Sequence, residues 1–295
     1  MRILIVGGTR LVGRQIAAAA IANGHDVTLY NRGVSDPTAF PEAGHLTGDR
    51  NGDLAELREP STGSWDATID VNAYVPRQVR SLLEALGDRR GHYTFISTIS
   101  VYGEDIDTLD FTERQKVLEP AWDDELTIEK YGELKVACEQ VARELAGDQL
   151  LVIRPGYVIG PHDHTERFNH WVKAVAAGKP FVAPDPGQPL QCIDGRDLGA
   201  FTVDRVAQRV TDVYNVTAPQ VVPTFAEVLN TIAAALDVKL PDVTWSAEAN
   251  DDLPLSAPRE WWPSMHADLS HATKAGLRWR PLDNTVRDIA VELGL

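Results

Sequence analysis

The chain has 295 residues, 43% of them hydrophobic and 24% charged, which fits a folded globular protein large enough for two lobes. Its formal net charge of −15 would repel polyanions, so nucleic acid, which needs clustered Lys and Arg, is not expected as a partner. Cys138 and Cys192 are the only cysteines, the N-terminal apolar run stops at Gly7, and no apolar stretch approaches the ~20 residues of a membrane span; together these predict a reduced, cytoplasmic protein with no membrane association.

Residues 3–6 are wholly apolar, the signature of a central parallel strand. Residues 11–22, rich in Ala and Ile, predict a helix stopped by Asn23-Gly24. A second strand is expected over 26–30, the tail of a third over 46–49, a short helix over 54–58 and a fourth strand over 65–71. An amphipathic helix over 79–86 leads to a fifth strand over 93–97. The acidic stretch 104–129 reads as a solvated loop or, alternatively, a substrate lid. A helix over 131–145 and a sixth strand over 150–154 follow. This alternation predicts an α/β fold, a Rossmann-type doubly wound parallel sheet. Residues 1–160 would form the dinucleotide-binding domain, with 190–218 returning to it through a strand over 213–216. Residues 161–295, punctuated by prolines and carrying helices over 225–236 and 285–293, would form a smaller C-terminal substrate lobe.

The first strand runs into Gly7-Gly8-Thr9-Arg10-Leu11-Val12-Gly13. Gly7 permits a tight turn and Gly13 a close helix–sheet approach, so the amides of Leu11, Val12 and Gly13 would face a pyrophosphate at a helix N-terminus. The second strand ends at Asn31-Arg32, 24 residues after Gly7, where the adenosine ribose should arrive. An acid there would bond the 2′-hydroxyl of NAD; Arg32, with Arg10 from the loop, suits the 2′-phosphate of NADP, which is therefore preferred over NAD. Asp49 is placed at the adenine edge or in an ordinary turn.

Tyr131 and Lys135 stand at i and i+4, on one helix face. A free tyrosine titrates near 10 and needs a neighbouring cation to act as a base. Lys135 would supply that charge and reach the ribose hydroxyls, Tyr131 would act as general acid/base, and Thr98, ahead of Ser97 and Ser100, would hold the substrate oxygen. A Tyr-x-x-x-Lys spacing alone is weak; its place at a helix start, downstream of a cradle and of a hydroxyl-rich strand end, gives it weight. A small molecule with a secondary alcohol or ketone is the expected substrate.

With these motifs the chain resembles an extended, partly atypical short-chain dehydrogenase/reductase of the NAD-dependent epimerase/dehydratase family. The loop at 7–13 resembles that family's Gly-x-x-Gly-x-x-Gly, and Ser97-Thr98-Ile99-Ser100-Val101-Tyr102-Gly103 is similar to its Ser-Ser-x-x-Val-Tyr-Gly. Arg154-Pro155-Gly156-Tyr157-Val158-Ile159-Gly160-Pro161 resembles the strand that lines the nicotinamide pocket, which brings Pro155 to the cofactor, and Cys192-Ile193-Asp194-Gly195-Arg196-Asp197 the later Val-Asp-Asp element. The resemblance implies nicotinamide redox or epimerase chemistry, and a homodimer through the helices starting near Arg77 and Tyr131. Two departures matter. Arg10 replaces the middle glycine, as in atypical members that include chloroplast stem-loop RNA-binding proteins, so a catalytically silent dinucleotide-sensing or RNA-associated role is the alternative. Tyr157 stands where sugar-nucleotide epimerases usually carry Asn.

His162, Asp163, His164 and His170 lie in a polar loop lacking a completing Cys or spaced carboxylate, so a solvated loop or substrate contact is expected there and no metal. Trp261, Trp262 and Trp279 are expected to pack in the core.

Overall fold

The computed structural model describes every residue except 53, 104, 105, 107 and 124. In chain order the N-terminal half carries β1 (Arg2–Val6), α1 (Leu11–Ala22), β2 (Asp26–Asn31), β3 (Gly44–Thr47), α2 (Ala55–Arg58), β4 (Ala67–Asp70), α3 (Pro76–Leu86), β5 (His92–Ile96), α4 (Tyr131–Ala146) and β6 (Leu150–Pro155). It continues through β7 (Tyr157–Ile159), α5 (Asn169–Ala176), β8 (Phe181–Ala183), β9 (Cys192–Asp194), α6 (Gly195–Ala207) and β10 (Asp212–Val216). The last elements are α7 (Phe225–Ala235), β11 (Val243–Trp245), α8 (Ser270–Lys274) and α9 (Leu282–Leu293).

Seven parallel strands form one sheet in the order β10-β6-β5-β4-β1-β2-β3. The apolar strands have no polar face because both faces are covered. Ile3 and Ile5 of β1 join Leu151 and Ile153 of β6 in a core capped by α1 and α6. The alternate residues Leu4, Val6, Leu150 and Val152 pack instead under α3 and α4. Chain order reverses between β1 and β4, so the loops after their C-terminal ends diverge and open a crevice there.

A separate core of Phe168, Trp171, Phe225, Ile232, Val286 and Ile289 joins α5, α7 and α9. Two parallel pairs, β7 with β9 and β8 with β11, were not foreseen in the sequence. Each of these strands is three residues long, too short to display an alternating pattern. The third strand ends at Thr47, two residues before the expected bound, and α3 starts at Pro76 because a proline suits the first helical position. The acidic stretch lies partly outside the described residues; its described part holds an isolated bridge from Phe111 to Ala267. No helix among the described residues is long and apolar enough to cross a membrane.

Candidate active site

A crevice of about 940 Å³ opens at the C-terminal ends of β1, β2, β4, β5 and β6, and every residue singled out above as a site residue lines it. At its floor, β1 turns into α1 through Gly7, whose φ of +91° favours glycine. A Cβ on Gly13 would stand 3.0 Å from the Cα and N of Gly8, so only glycine lets α1 start this close to the strand. The first turn of α1 carries no acidic residue and Arg10 gives it no side-chain cap. The amides of Leu11, Val12 and Gly13 and the positive end of the helix therefore face the crevice unneutralised.

At the end of β2, the Asn31 side chain accepts the amide of Gly33 at 2.7 Å and closes its own turn. The Arg10 Nε donates to Ser35 Oγ at 3.0 Å, while the Arg32 guanidinium makes no hydrogen bond or ion pair among the described residues. Two cations and a hydroxyl thus line the crevice where an acid would have marked the ribose of NAD. Asp49 accepts the amide of Asn51 at 2.9 Å, which commits one carboxylate oxygen to a turn. Its neighbour Arg50, unremarked in the sequence, is the architectural residue here. It is buried, grips Asp70 through both ends at 2.6 and 3.0 Å, and donates to Asn72 at 2.7 Å and to the Gln78 carbonyl at 3.0 Å. Tyr93 donates to the same Asp70 at 2.9 Å. This network fixes the ends of β3 and β4, and nothing in the local sequence signals it, because its members lie 20 to 28 residues apart.

Thr98 caps the 3-10 turn Ile99–Tyr102, its Oγ1 accepting the Ser100 amide at 3.1 Å and donating to Ser100 Oγ at 3.0 Å. Tyr131 opens α4 beside it. The reason for this approach is Gly132: a Cβ there would meet the Ser100 carbonyl oxygen at 2.2 Å, so the glycine lets α4 sit directly on the turn. Burial raises Tyr131 to about 12, helped by Tyr74, against the downward pull of a hydrogen bond with Thr98 and of the Arg167 charge.

Lys135 is 2% exposed. Its Nζ donates to the carbonyls of Ala73 at 2.9 Å and Ile96 at 2.7 Å, and it lies 4.3 Å from the centre of the Phe95 ring. Of its three N–H donors one remains for the crevice. Burial lowers its pKa to about 8. The expectation that Lys135 pulls the Tyr131 phenol down differs from this picture: its ammonium is bonded to the ends of β4 and β5, and desolvation of the phenol dominates.

Beneath the site, Arg154 pairs with Glu139 at 2.8 and 2.6 Å and donates to the Tyr102 hydroxyl at 2.7 Å, while Ser97 donates to Glu139 at 2.7 Å. Pro155 follows at the crevice wall, joined by Tyr74, Tyr157, Arg167 and Trp261. Trp261 was expected in a core; it is 36% exposed and faces the crevice. Trp262 lies under the Arg259 guanidinium instead, 5.2 Å away, and Trp279 packs at the edge of two core clusters.

In the loop after β7, His162 contacts Glu292 at 3.1 Å and Asp163 accepts Thr165, while His170, expected in the same loop, lies in α5 and packs edge-on to Trp171. No group of three or more His, Cys, Asp or Glu able to hold a metal occurs among the described residues. Cys138 and Cys192 are both free and buried.

A family model described as the NAD dependent epimerase/dehydratase family matches residues 3–216. The chloroplast stem-loop binding protein of 41 kDa b from Arabidopsis thaliana is 26% identical over 200 residues, 63% of this chain and 50% of that protein. The chain thus spans about half the length of the curated relative it matches. Among solved structures, the Bordetella bronchiseptica enzyme WbmH in complex with NAD+ aligns with a TM-score of 0.77 at 15% identity, over 99% of this chain and 98% of that one. UDP-glucuronic acid 4-epimerase from Bacillus cereus in complex with NAD aligns with a TM-score of 0.73 at 14% identity, over 100% and 99%. At these identities the two structures establish the shared fold.

Proposed function

Because the chain belongs to the NAD dependent epimerase/dehydratase family, we propose that it is an NAD(P)-dependent oxidoreductase or epimerase acting on a secondary alcohol or ketone through Thr98, Tyr131 and Lys135. The observation that carries this reading is one crevice lined both by an uncapped helix N-terminus and by a phenol, a hydroxyl and a buried ammonium. A dinucleotide fits that cradle: the glycines leave room for a pyrophosphate and the first-turn amides of α1 supply its donors. Arg10, hydrogen-bonded to Ser35, and Arg32 favour the 2′-phosphate of NADP over the bare ribose of NAD. The coenzyme would supply a hydride donor or acceptor.

The protein's own residues manage the proton. With its pKa near 12, Tyr131 is protonated at neutral pH and stands ready to donate to a carbonyl oxygen in the reducing direction. In the oxidising direction it accepts the hydroxyl proton, a step that needs positive charge close by. Thr98 orients the substrate oxygen, and the remaining N–H of Lys135 is available to ribose hydroxyls.

An RNA-associated role is the second reading, favoured by the stem-loop binding relative. The net charge of −15 opposes it. The test is a titration with NADPH, NADH and an RNA stem-loop, followed by a carbonyl-compound screen at 340 nm with wild type and Tyr131→Phe. We expect NADPH to bind best, and Tyr131→Phe to keep that affinity while losing roughly 10²- to 10⁴-fold in kcat. Equal turnover by the variant would refute the catalytic assignment; stem-loop binding without coenzyme binding would favour the second reading.

A further inference from the structure

Arg167 lies in the loop between β7 and α5 and lines the crevice with Tyr74, Tyr157 and Trp261. Acidic residues outnumber basic ones 43 to 28 in this chain, yet no carboxylate among the described residues pairs with it. Its Nε donates to Thr165 Oγ1 at 3.3 Å, and Thr165 in turn donates to the buried Asp163 at 2.6 Å. Its guanidinium carbon lies 5.4 Å from the centre of the Tyr157 ring. The inner edge of the fork is thereby held while both terminal nitrogens make no hydrogen bond among the described residues. The loop that holds it accepts left-handed backbone at His162 and Glu166, with φ of +67° and +58°, a strain that tertiary structure maintains. Arg167 and Tyr131 line the same crevice, so one bound molecule can meet both the fork and the phenol.

Around the same space, Tyr74 is 39%, Trp261 36% and Ile128 92% exposed, an unusual display of apolar surface in a crevice. Glu129 and Glu133 also line it and oppose a second anionic group.

Resting on the redox reading above, we infer that Arg167 recognises the substrate, and that the substrate is a ketone or secondary alcohol with an apolar body and one anionic group, a carboxylate or a phosphate monoester. A planar fork with two open nitrogens binds either group bidentately. Glu129 and Glu133, lining the same crevice, disfavour a polyanionic diphosphate.

The test is calorimetric titration of the full chain, with and without saturating NADPH, using 3-phenylpropionate, its neutral amide, phenyl phosphate and uridine diphosphate. 3-Phenylpropionate and phenyl phosphate should each bind at least about tenfold tighter than the amide. That preference should vanish in Arg167→Ala and partly return in Arg167→Lys, with unchanged melting temperatures showing that both variants fold. The relative affinities of 3-phenylpropionate and phenyl phosphate decide between the carboxylate and the phosphate. Equal binding of acid and amide, no binding of either 3-phenylpropionate or phenyl phosphate, a preference that survives Arg167→Ala, or tightest binding of uridine diphosphate would each overturn the inference. If neither NADPH nor NADH binds but the acid-over-amide preference stands, the redox reading falls and the anion subsite remains.

Discussion

Lys135 shows how one side chain serves two ends. Its ammonium bridges the carbonyls of Ala73 and Ile96, which ties α4 to β4 and β5, and burial lowers its pKa to about 8. A lysine in the unfolded chain titrates near 10.4. Between those values the unfolded chain keeps a proton that the folded chain has released. Unfolding then takes up a proton, and the folded state gains stability as pH rises from about 8 toward 10; below 8 both states are protonated and the effect is flat. Measured by urea unfolding against Lys135→Met, wild type should gain up to about 1.4 kcal/mol per pH unit in that window. A difference that stays level from pH 7 to 10 would contradict the buried ammonium. The neighbouring phenol behaves oppositely: desolvation holds Tyr131 as an acid near pH 12, so in the reducing direction the group keeps its proton throughout the neutral range.

At the scale of elements, the site depends on α4 being fastened to the ends of β5 and β6. Gly132 brings the first turn of α4 against Ser100, and one turn past Lys135, Glu139 closes a buried pair with Arg154 of β6 while accepting Ser97 at the end of β5. Glu139 and Arg154 are 2% and 4% exposed. Replacing one partner leaves a desolvated charge without its counter-ion, which costs about 3–5 kcal/mol. Glu139→Gln should therefore lower the unfolding free energy, measured by urea titration, by that amount, although the residue is not in the crevice. A loss below about 1 kcal/mol would mean that water reaches the pair and that it does not fasten α4.

At the scale of the molecule, Asp194 joins the N-terminus of α6 to the C-terminal helix α9. It accepts Arg196 at 2.7 Å and the Thr285 hydroxyl at 2.8 Å, and Arg280 approaches to 3.7 Å. Burial disfavours its charge, but the Arg196 side-chain and backbone donors and Thr285 outweigh that, and its pKa falls below the ordinary 3.8. A depressed carboxyl contributes stability that is fully present above the unfolded value and is lost as pH falls through the folded one. Asp194→Asn should cost roughly 2–4 kcal/mol at neutral pH, and the gap to wild type should shrink in acid below 3.8. A gap that stays constant on acidification would show that the carboxylate's charge is not what joins these elements.

The sequence by itself determined the doubly wound sheet, since wholly apolar runs alternating with amphipathic helices can bury both strand faces only under helices on each side. It also set the stretch from Gly7 to Gly13 between a strand and a helix, and Tyr131 and Lys135 on one helix, because those spacings are local: a turn between strand and helix, and one helical turn. What only the tertiary structure decided is non-local. Arg50 meets Asp70, Arg154 meets Glu139, Trp261 reaches the crevice, and the Lys135 ammonium is committed to carbonyls of Ala73, in the segment after β4, and of Ile96 in β5. No pattern along the chain encodes such meetings, because burial and partner choice are set when distant segments pack, and it is that packing which gives Tyr131 and Lys135 their shifted protonation.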